Sequence, residues 1–368
     1  MKLIVIGAGV GGLAAARGLR AAGHEVEVYE RAPAPRTGGA AVTLWSNGTG
    51  ILDELGVSLD GVGAPIDVLE QRTADGRRTT RVDVARAARR FGRPHVSLPR
   101  RRLLERLADG QPDPVFGKAA VRVSGDGRRV EFADGSTASA DAVIGADGHR
   151  SAVRDTVWGG DPTVPSGWTT WQGLAPVPIG VTSGREGLVI VGREGMCGLM
   201  PAGEGLLQWW FDIRDAPSEP STAELRRRFG DWASPVPELL DAVADEPVDA
   251  FPHHRQPVRR SWGAGHCTLV GDAAHTMPPT QAQGANQALE DAWALTVALR
   301  DAHGDVPETL RRYERTRSKR ANRAVRAAGT QLTDRPGSLL MGRLTPDGLM
   351  SRAYTRWLLT ISDYLRAA

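Results

Sequence analysis

Residues 3–6 form an unbroken apolar run that stops at Gly7. That is the pattern of a strand buried on both faces of a parallel sheet. Gly7-Ala8-Gly9-Val10-Gly11-Gly12 follows, and residues 13–22 are then dense in Ala and Leu, which are strong helix formers. Gly23 stands where a C-terminal cap belongs, and residues 25–30 alternate as a second strand. Strand, glycine turn, helix and strand make one βαβ unit. The middle of the chain changes period. Residues 66–71 and 77–82 flank Ala-Asp-Gly, and residues 121–123 and 130–132 flank Gly125-Asp126-Gly127; each pair predicts a hairpin. Residues 168–213 break into short strand-like runs separated by Gly and Pro, which predicts an antiparallel sheet, and helical patterns dominate from Gln283 onward. The chain thus leaves a nucleotide-binding unit, builds a sheet-rich unit and returns.

Length and composition refine this picture. With 368 residues, the chain exceeds what one core of roughly 250–300 residues organises, so two units are expected. Apolar residues make up 41% and charged residues 24%, a globular balance that excludes a disordered chain, a collagen and a coiled coil. No apolar run approaches the roughly 18 residues of a membrane span, and no signal-peptide pattern opens the sequence. Cys197 and Cys267 lie far apart, which argues against a disulfide framework or thiolate metal site and suits a reducing cytoplasm. The net charge of +3 comes almost wholly from Arg scattered among acids, since Lys occurs only at 2, 118 and 319. Neither nucleic acid nor membrane is expected as a partner. The runs at 100–102 and 226–228 read as solvated helix faces.

Three motifs carry chemistry. The first is Gly7-x-Gly9-x-x-Gly12 between strand and helix, with Glu30 closing the second strand. The first Gly permits a tight turn, the second a close approach to pyrophosphate, and the third close packing of helix on strand. Phosphates sit on the helix N-terminus, and Glu30 can accept hydrogen bonds from ribose hydroxyls. The second motif is a strand ending at Asp147-Gly148, followed by Ser151 and Arg154. The third is the strand from Cys267 to Gly271-Asp272-Ala-Ala-His275, which leads through Pro278-Pro279-Thr-Gln-Ala282-Gln283-Gly284 into a helix. Asp147 could also be an N-cap for a helix starting near His149.

In this order the three motifs resemble the para-hydroxybenzoate hydroxylase family, the single-component (class A) FAD-dependent monooxygenases, over residues 1 to about 330. Arg100-x-x-Leu103-x-x-x-Leu107 and Tyr313-Glu314-x-x-Arg317 are similar to smaller family pieces. The resemblance implies an α/β fold: a Rossmann-like FAD-binding domain with an inserted antiparallel β-sheet substrate domain and C-terminal helices. We expect residues 1–72, 96–165 and 262–330 in the FAD-binding domain, 73–95 and 166–261 in the substrate domain, and 331–368 in a C-terminal helical segment. The resemblance further implies non-covalent FAD, NADPH or NADH as a transient co-substrate, and O₂. The expected activity is hydroxylation of an aromatic or polyketide-like small molecule through a flavin C4a-hydroperoxide, in a monomer or homodimer. The implied cofactor residues are Gly7, Gly9, Gly11, Gly12, Glu30, Arg31, Thr43, Arg100, Asp147, Asp272, Gln283, Gly284, Ala285 and Asn286. Asp147 and Arg154 would lie between the FAD pyrophosphate and a transient nicotinamide site. The family has Gly where Ala282 stands; if that position needs φ > 0, Ala costs about 1 kcal/mol or shifts the loop.

The substrate side is open to several readings. Trp45, Leu207, Trp209, Phe211 and Pro279 are candidates. Alternation puts Leu207, Trp209 and Phe211 on one strand face, as core packing or as an aromatic wall. Urate-acting members of the family resemble this chain around residues 41–48 but carry an Arg near Leu206, so urate is not expected here. His253 and His254 lack metal-ligand neighbours and suit a surface or inter-domain place. His275 suits a structural role. No general base and no metal site is assigned. A disulfide reductase would need a second GxGxxG and a Cys pair, which the chain lacks. A flavin-bearing cyclase, isomerase or dehydrogenase, or a binding protein, is the alternative, with Ala282 the one feature leaning that way.

Overall fold

The computed structural model describes residues 1–35, 38–176, 184–300, 304–329 and 345–367. Part of the expected C-terminal segment, 331–344, and part of the predicted antiparallel region, 177–183, lie outside the described residues. The apolar runs form a four-stranded parallel sheet in the order Cys267–Leu269, Ala142–Gly145, Lys2–Ile6, Glu25–Tyr29. Leu3, Ile4 and Val5 are fully buried, as strands covered on both faces require. The helix Val10–Ala21 covers one face and packs on Gly284–Arg300. The two come close because Gly18 has no side chain; a Cβ there would sit 2.4 Å from Thr296 Oγ1.

The second unit is a seven-stranded sheet. Its order is Asp249–Arg255, Val164–Ala175, Leu206–Arg214, Gly195–Gly203, Glu186–Val191, Val68–Thr73, Arg78–Asp83. All neighbours pair antiparallel except Glu186–Val191 with Val68–Thr73. Val68–Thr73 crosses the boundary expected at residue 72, because its ladder runs to both Glu186–Val191 and Arg78–Asp83. One face of this sheet is closed by the helices Thr222–Phe229 and Val236–Ala242 over a core that includes Trp171, Trp209 and Phe211. The other face meets Ile66, Val84 and Tyr354 through Met200 and Trp210.

A buried ionic network joins the last strand of the parallel sheet to the C-terminal helices. Arg317, on Val306–Ala328, is fully buried and donates from Nε to Asp291 at 2.8 Å and from Nη1 to Asp363 at 3.1 Å. Asp291 also accepts from the Gly271 amide at 2.8 Å and pairs with His275 Nε2 at 2.5 Å. Glu290 accepts from the amides of Asp363 and Tyr364. Removing one partner of a buried pair strands the others in a low dielectric. Arg317→Leu is therefore expected to lower unfolding stability by about 3–5 kcal/mol, measured as a shift in the urea midpoint; a shift below about 0.5 kcal/mol would show that the network carries little stability.

Candidate cofactor and substrate site

Three strand ends meet at one edge of the parallel sheet and carry the three motifs. A Cβ on Gly7 would lie 2.4 Å from Ala146 O, and one on Gly12 1.9 Å from Gly7 O. Gly11 lies against Ala288, whose Cβ would be 3.3 Å away. These three glycines therefore serve backbone packing. Gly9 differs: a Cβ there meets nothing within 4 Å, and Gly9 is the N-cap of Val10–Ala21 with no side chain capping the first amides. Open space thus stands before unsatisfied N–H groups, which is the geometry of a phosphate cradle. Glu30 closes its side. Its carboxylate accepts from the Ala8 amide at 2.8 Å and the Ala32 amide at 2.9 Å, and each oxygen keeps a lone pair for a ribose hydroxyl. Arg31 is exposed beside it.

The third motif supplies the far wall. Gly271 adopts φ 61 and ψ −141, a conformation that suits glycine. Asp272 follows it, exposed; its carbonyl accepts from Thr276 Oγ1 at 2.6 Å, and its carboxylate has no hydrogen-bond partner among the described residues. A Cβ on Gly284 would lie 4.0 Å from Asp272 Oδ1, so this carboxylate stands at the start of the helix Gly284–Arg300. Gln283 is buried, and its Nε2 has no partner. Ala285 is half-buried in the first turn. Pro279 is exposed in the 3₁₀ turn Pro279–Gln281 and accepts from the Ala282 amide at 2.8 Å. Ala282 has φ 49 and ψ 38, so the left-handed conformation is present. An uncapped helix start at Gly9, an unpartnered Asp272 carboxylate and an orphaned Gln283 donor are the groups a flavin dinucleotide would satisfy, and the residues present fit it.

Several expected contacts turn out to be internal supports. Asn286 is buried. It accepts from the Trp45 amide at 2.9 Å and donates to Thr43 O at 2.9 Å and Ala282 O at 2.8 Å. Its side chain holds the strand Ala41–Leu44 to the 278–284 loop instead of facing a ligand, and Thr43 is buried with its carbonyl engaged. The helix near the second motif is Ala152–Trp158, and Ser151, not Asp147, caps it by accepting from the Arg154 amide. Asp147 backs that cap, accepting from Ser151 Oγ at 2.5 Å and the Val153 amide at 3.2 Å, and burial pushes its carboxyl up. Arg154 is fully buried on Asp155, Asp161, Gln256 and His149 O, so it is not at a ligand surface. Arg100 begins the helix Arg100–Ala108, and its Cδ lies 3.5 Å from where a Cβ on Gly39 would be.

The substrate candidates divide. Trp45 is buried, with its ring 5.2 Å from His95 and 5.8 Å from Tyr354, and Nε1 donates to Gln281 O at 3.4 Å. It thus packs directly behind the flavin loop. Leu207, Trp209 and Phe211 share a face as expected, but that face lies in the core under Thr222–Phe229 and Val236–Ala242. The opposite face of the same strand carries Gln208, Trp210 and Asp212, with Thr170 and Gln172 on one neighbouring strand and Met196, Gly198 and Met200 on the other. Trp210 lies over Gly198, where a Cβ would come within 2.0 Å of the indole. The sequence signal for this face was its polar members, Gln208 and Asp212, on a strand otherwise apolar up to its last residue, Arg214.

Asp212 is buried. Thr170 Oγ1 donates to its Oδ1 at 2.5 Å and lies 2.6 Å from His253 Nε2. Burial pushes the Asp212 carboxyl up to about 6, against the Thr170 hydrogen bond, and pushes His253 down to about 4. His254 stacks on His149, 5.6 Å away, at the second motif. His254 thus links the sheet to the second motif, whereas His253 is buried within the sheet on Thr170. His275 is buried on Asp291. Among the described residues, no group of His, Cys, Asp and Glu could hold a metal ion, and no helix is long and apolar enough to cross a membrane.

Comparison with known proteins agrees with this geometry. Residues 1–328 match the family described as FAD binding domain. The chain is 33% identical to an FAD-dependent urate hydroxylase of Klebsiella oxytoca, covering 88% of each chain. It is 34% identical to the 3-amino-4-hydroxybenzoate 2-monooxygenase PtnB3 of Streptomyces platensis, covering 94% of this chain and 92% of that one. Its fold superposes on Klebsiella pneumoniae HpxO complexed with FAD and uric acid with a TM-score of 0.88 at 30% identity, over 98% of this chain and 97% of the other.

Two expectations follow. Gly9→Ala should leave the melting temperature within about 2 °C of wild type but lower FAD retention, because its Cβ enters the cradle, whereas Gly12→Ala should prevent folding through collision with Gly7 O. FAD content and circular dichroism of the two variants separate these outcomes. For Asp212, the folded pKa of about 6 exceeds the roughly 3.9 of an unfolded Asp. The native state then holds the proton more tightly, so stability falls as pH rises from about 4 to about 6 and stays reduced above. Asp212→Asn should raise the melting temperature at pH 7.5 and leave it unchanged near pH 4.

Proposed function

Because the chain belongs to the FAD-binding domain family and is an FAD-dependent monooxygenase of aromatic small molecules, we propose that a flat aromatic substrate lies against the Gln208–Trp210–Asp212 face, with NAD(P)H as reductant and O₂ as oxygen donor. The observation that carries this placement is that the seven-stranded sheet closes one face with its own helices and turns the other toward Trp45, Tyr354 and the flavin loop. Bound FAD supplies hydride acceptance and oxygen activation; the protein supplies position and electrostatics. The first amides of Val10–Ala21 take the pyrophosphate, Glu30 the adenosine ribose, and Asp272 the ribityl–pyrophosphate part. The start of Gly284–Arg300 would hold the flavin ring with its first N–H groups, and its positive dipole end would favour negative charge there. Trp45, His95 and Tyr354 form an aromatic cluster that keeps water from the reacting side.

Urate, which the HpxO complex contains, does not suit this face. No Arg stands among Thr170, Gln172, Met196, Met200, Gln208, Trp210 and Asp212, and Arg214 at the strand's end stacks on Trp168, 5.2 Å from its ring. Ala282 does not favour a non-oxygenating flavoprotein: it holds the left-handed conformation a glycine would hold, so the loop keeps its shape. With no second dinucleotide fingerprint in the sequence, the nicotinamide cofactor binds weakly and across the cleft between sheet and cradle.

The purified protein is expected to be yellow with one FAD per chain and to oxidise NAD(P)H faster when a fitting aromatic is added. Glu30→Ala and Asp272→Ala should each weaken FAD binding by roughly 1.5–3 kcal/mol, the worth of a charge-assisted hydrogen bond. A colourless protein that takes up no added FAD would falsify the reading. Ala282→Gly should keep FAD and, by relieving the left-handed strain, leave the melting temperature unchanged or higher. It should alter the rate of flavin reduction or the peroxide yield through a looser loop, both read by stopped-flow and peroxide assay.

A further inference from the structure

Asp212 has one oxygen occupied and one vacant. Oδ1 takes the Thr170 hydroxyl, while Oδ2 is buried without a partner. Thr170 has a single proton, and with that proton given to Asp212 its oxygen accepts from His253, which fixes His253 as the neutral tautomer carrying hydrogen on Nε2. This chain of three crosses the sheet from its edge strand Asp249–Arg255, through Val164–Ala175, to the central strand Leu206–Arg214. It holds the Asp212 carboxyl in one orientation. The groups facing Asp212 are Thr170, its cross-strand partner Met196 and His253 at 3.7 Å, with His254 beside His253 and, on the adjacent strand, the buried Cys197 thiol, which burial and the Asp212 charge push up; among the described residues no Arg or Lys pairs with it. The remaining members of this face, Gln172, Gln208 and Trp210, are half-buried, so the face is more open along the strand than at Asp212 itself.

A buried carboxyl without a cation and with one oxygen unsatisfied costs stability unless a donor meets it. Resting on the function proposed above, we propose that Asp212 Oδ2 receives an acidic O–H or N–H of the substrate ring, as acceptor and base, and that Thr170 and His253 are its positioning residues. The proton transfer is simple: the ring O–H or N–H bond breaks, its electron pair stays on the ring, and a new O–H bond forms at Oδ2. Ionising the ring enriches it in electrons, which favours attack by an electrophilic oxygen. The substrate class follows. It is a neutral phenol or N–H heteroarene presenting a donor, and a ring carboxylate is disfavoured because it would set two negative charges together without a cation. A carboxyl that titrates near pH 6 is matched to such a proton at neutral pH.

The test measures binding of two one-ring probes, resorcinol and benzoate, to FAD-loaded protein by perturbation of the flavin absorbance, from about pH 5 to pH 8 on both sides of the Asp212 midpoint. Wild type should bind resorcinol at least about tenfold more tightly than benzoate at neutral pH, and benzoate should gain affinity as Asp212 becomes protonated. Asp212→Asn should weaken resorcinol by about tenfold or more, tighten benzoate by a similar factor and flatten both pH profiles. Thr170→Val should weaken resorcinol, and Thr170→Ser should restore it, which a merely structural role for the methyl-bearing side chain would not produce. FAD content and melting temperature establish that each variant is folded. Equal probe affinities in wild type and Asp212→Asn, or no resorcinol binding by folded wild-type holoprotein, overturn the proposal. Failure of the underlying functional reading shows separately, as a wild-type protein that takes up no FAD before any probe is added.

Discussion

The cofactor cradle depends on the pairing of Arg317 with Asp291. Both are wholly buried, and neither charge could persist there alone. Asp291 divides its two oxygens between Arg317 on one side and the Gly271 amide and His275 on the other. That division sets where Asp272 begins and how the Asp272–His275 turn meets Gly284–Arg300. Burial alone would raise the Asp291 carboxyl, but the charges of His275 and Arg317 hold it below its usual value. Glu290 beside it is pushed up by burial against the pull of Arg317. A structural ion cluster therefore stands directly behind the exposed carboxylate assigned to FAD, and the separation of roles is physical: paired charges inside, unpaired ones at the cradle.

Much of this was legible in the order of residues. Buried parallel strands ending in Gly7, Asp147 and Gly271-Asp272 announce themselves as apolar runs with polar stops, and the hairpin at Ala74-Asp75-Gly76 is read from its turn chemistry. The sheet face was not legible. A period of two says that Leu207, Trp209 and Phe211 share a side; it does not say which side faces the second domain. Here both sides are covered, one by the helices Thr222–Phe229 and Val236–Ala242 and the other in part by Tyr354 of the much later helix Asp347–Ile361, so hydrophobicity could not discriminate. That the side chains of Asn286 and Arg154 are engaged internally was not legible for a related reason. They stand within motif sequences, and a motif does not distinguish residues that touch a ligand from residues that brace those that do. Tyr354 was missed altogether, since nothing in a C-terminal helical pattern points to a partner near Trp45.

The two tryptophans of the central strand share one device on opposite faces. Trp209 lies over Gly173 and Trp210 over Gly198, and in each case a Cβ on the glycine would meet the indole at 2.4 Å or less. The glycine on the adjacent strand provides a flat backbone bed, so the ring lies along the sheet instead of standing on it. On the core side this lets Trp209 fit beneath the two helices. On the other side it makes the width of the cleft a property of Gly198 as much as of Trp210.

The Arg317 cluster also imposes an order on biosynthesis. Its members come from residue 271 to residue 363, and Glu290 captures the backbone amides of Asp363 and Tyr364. The glycine loop that opens the cradle is made first and leaves the ribosome long before the wall that carries Asp272 has been locked. Chains acquire structure from their N-terminal side as they are synthesised. Here that early βαβ unit must wait, half-finished, until the C-terminal helices arrive. A nascent chain stalled before residue 363 thus carries the glycine fingerprint before Glu290 has gained the two amides that close the cluster behind Asp272.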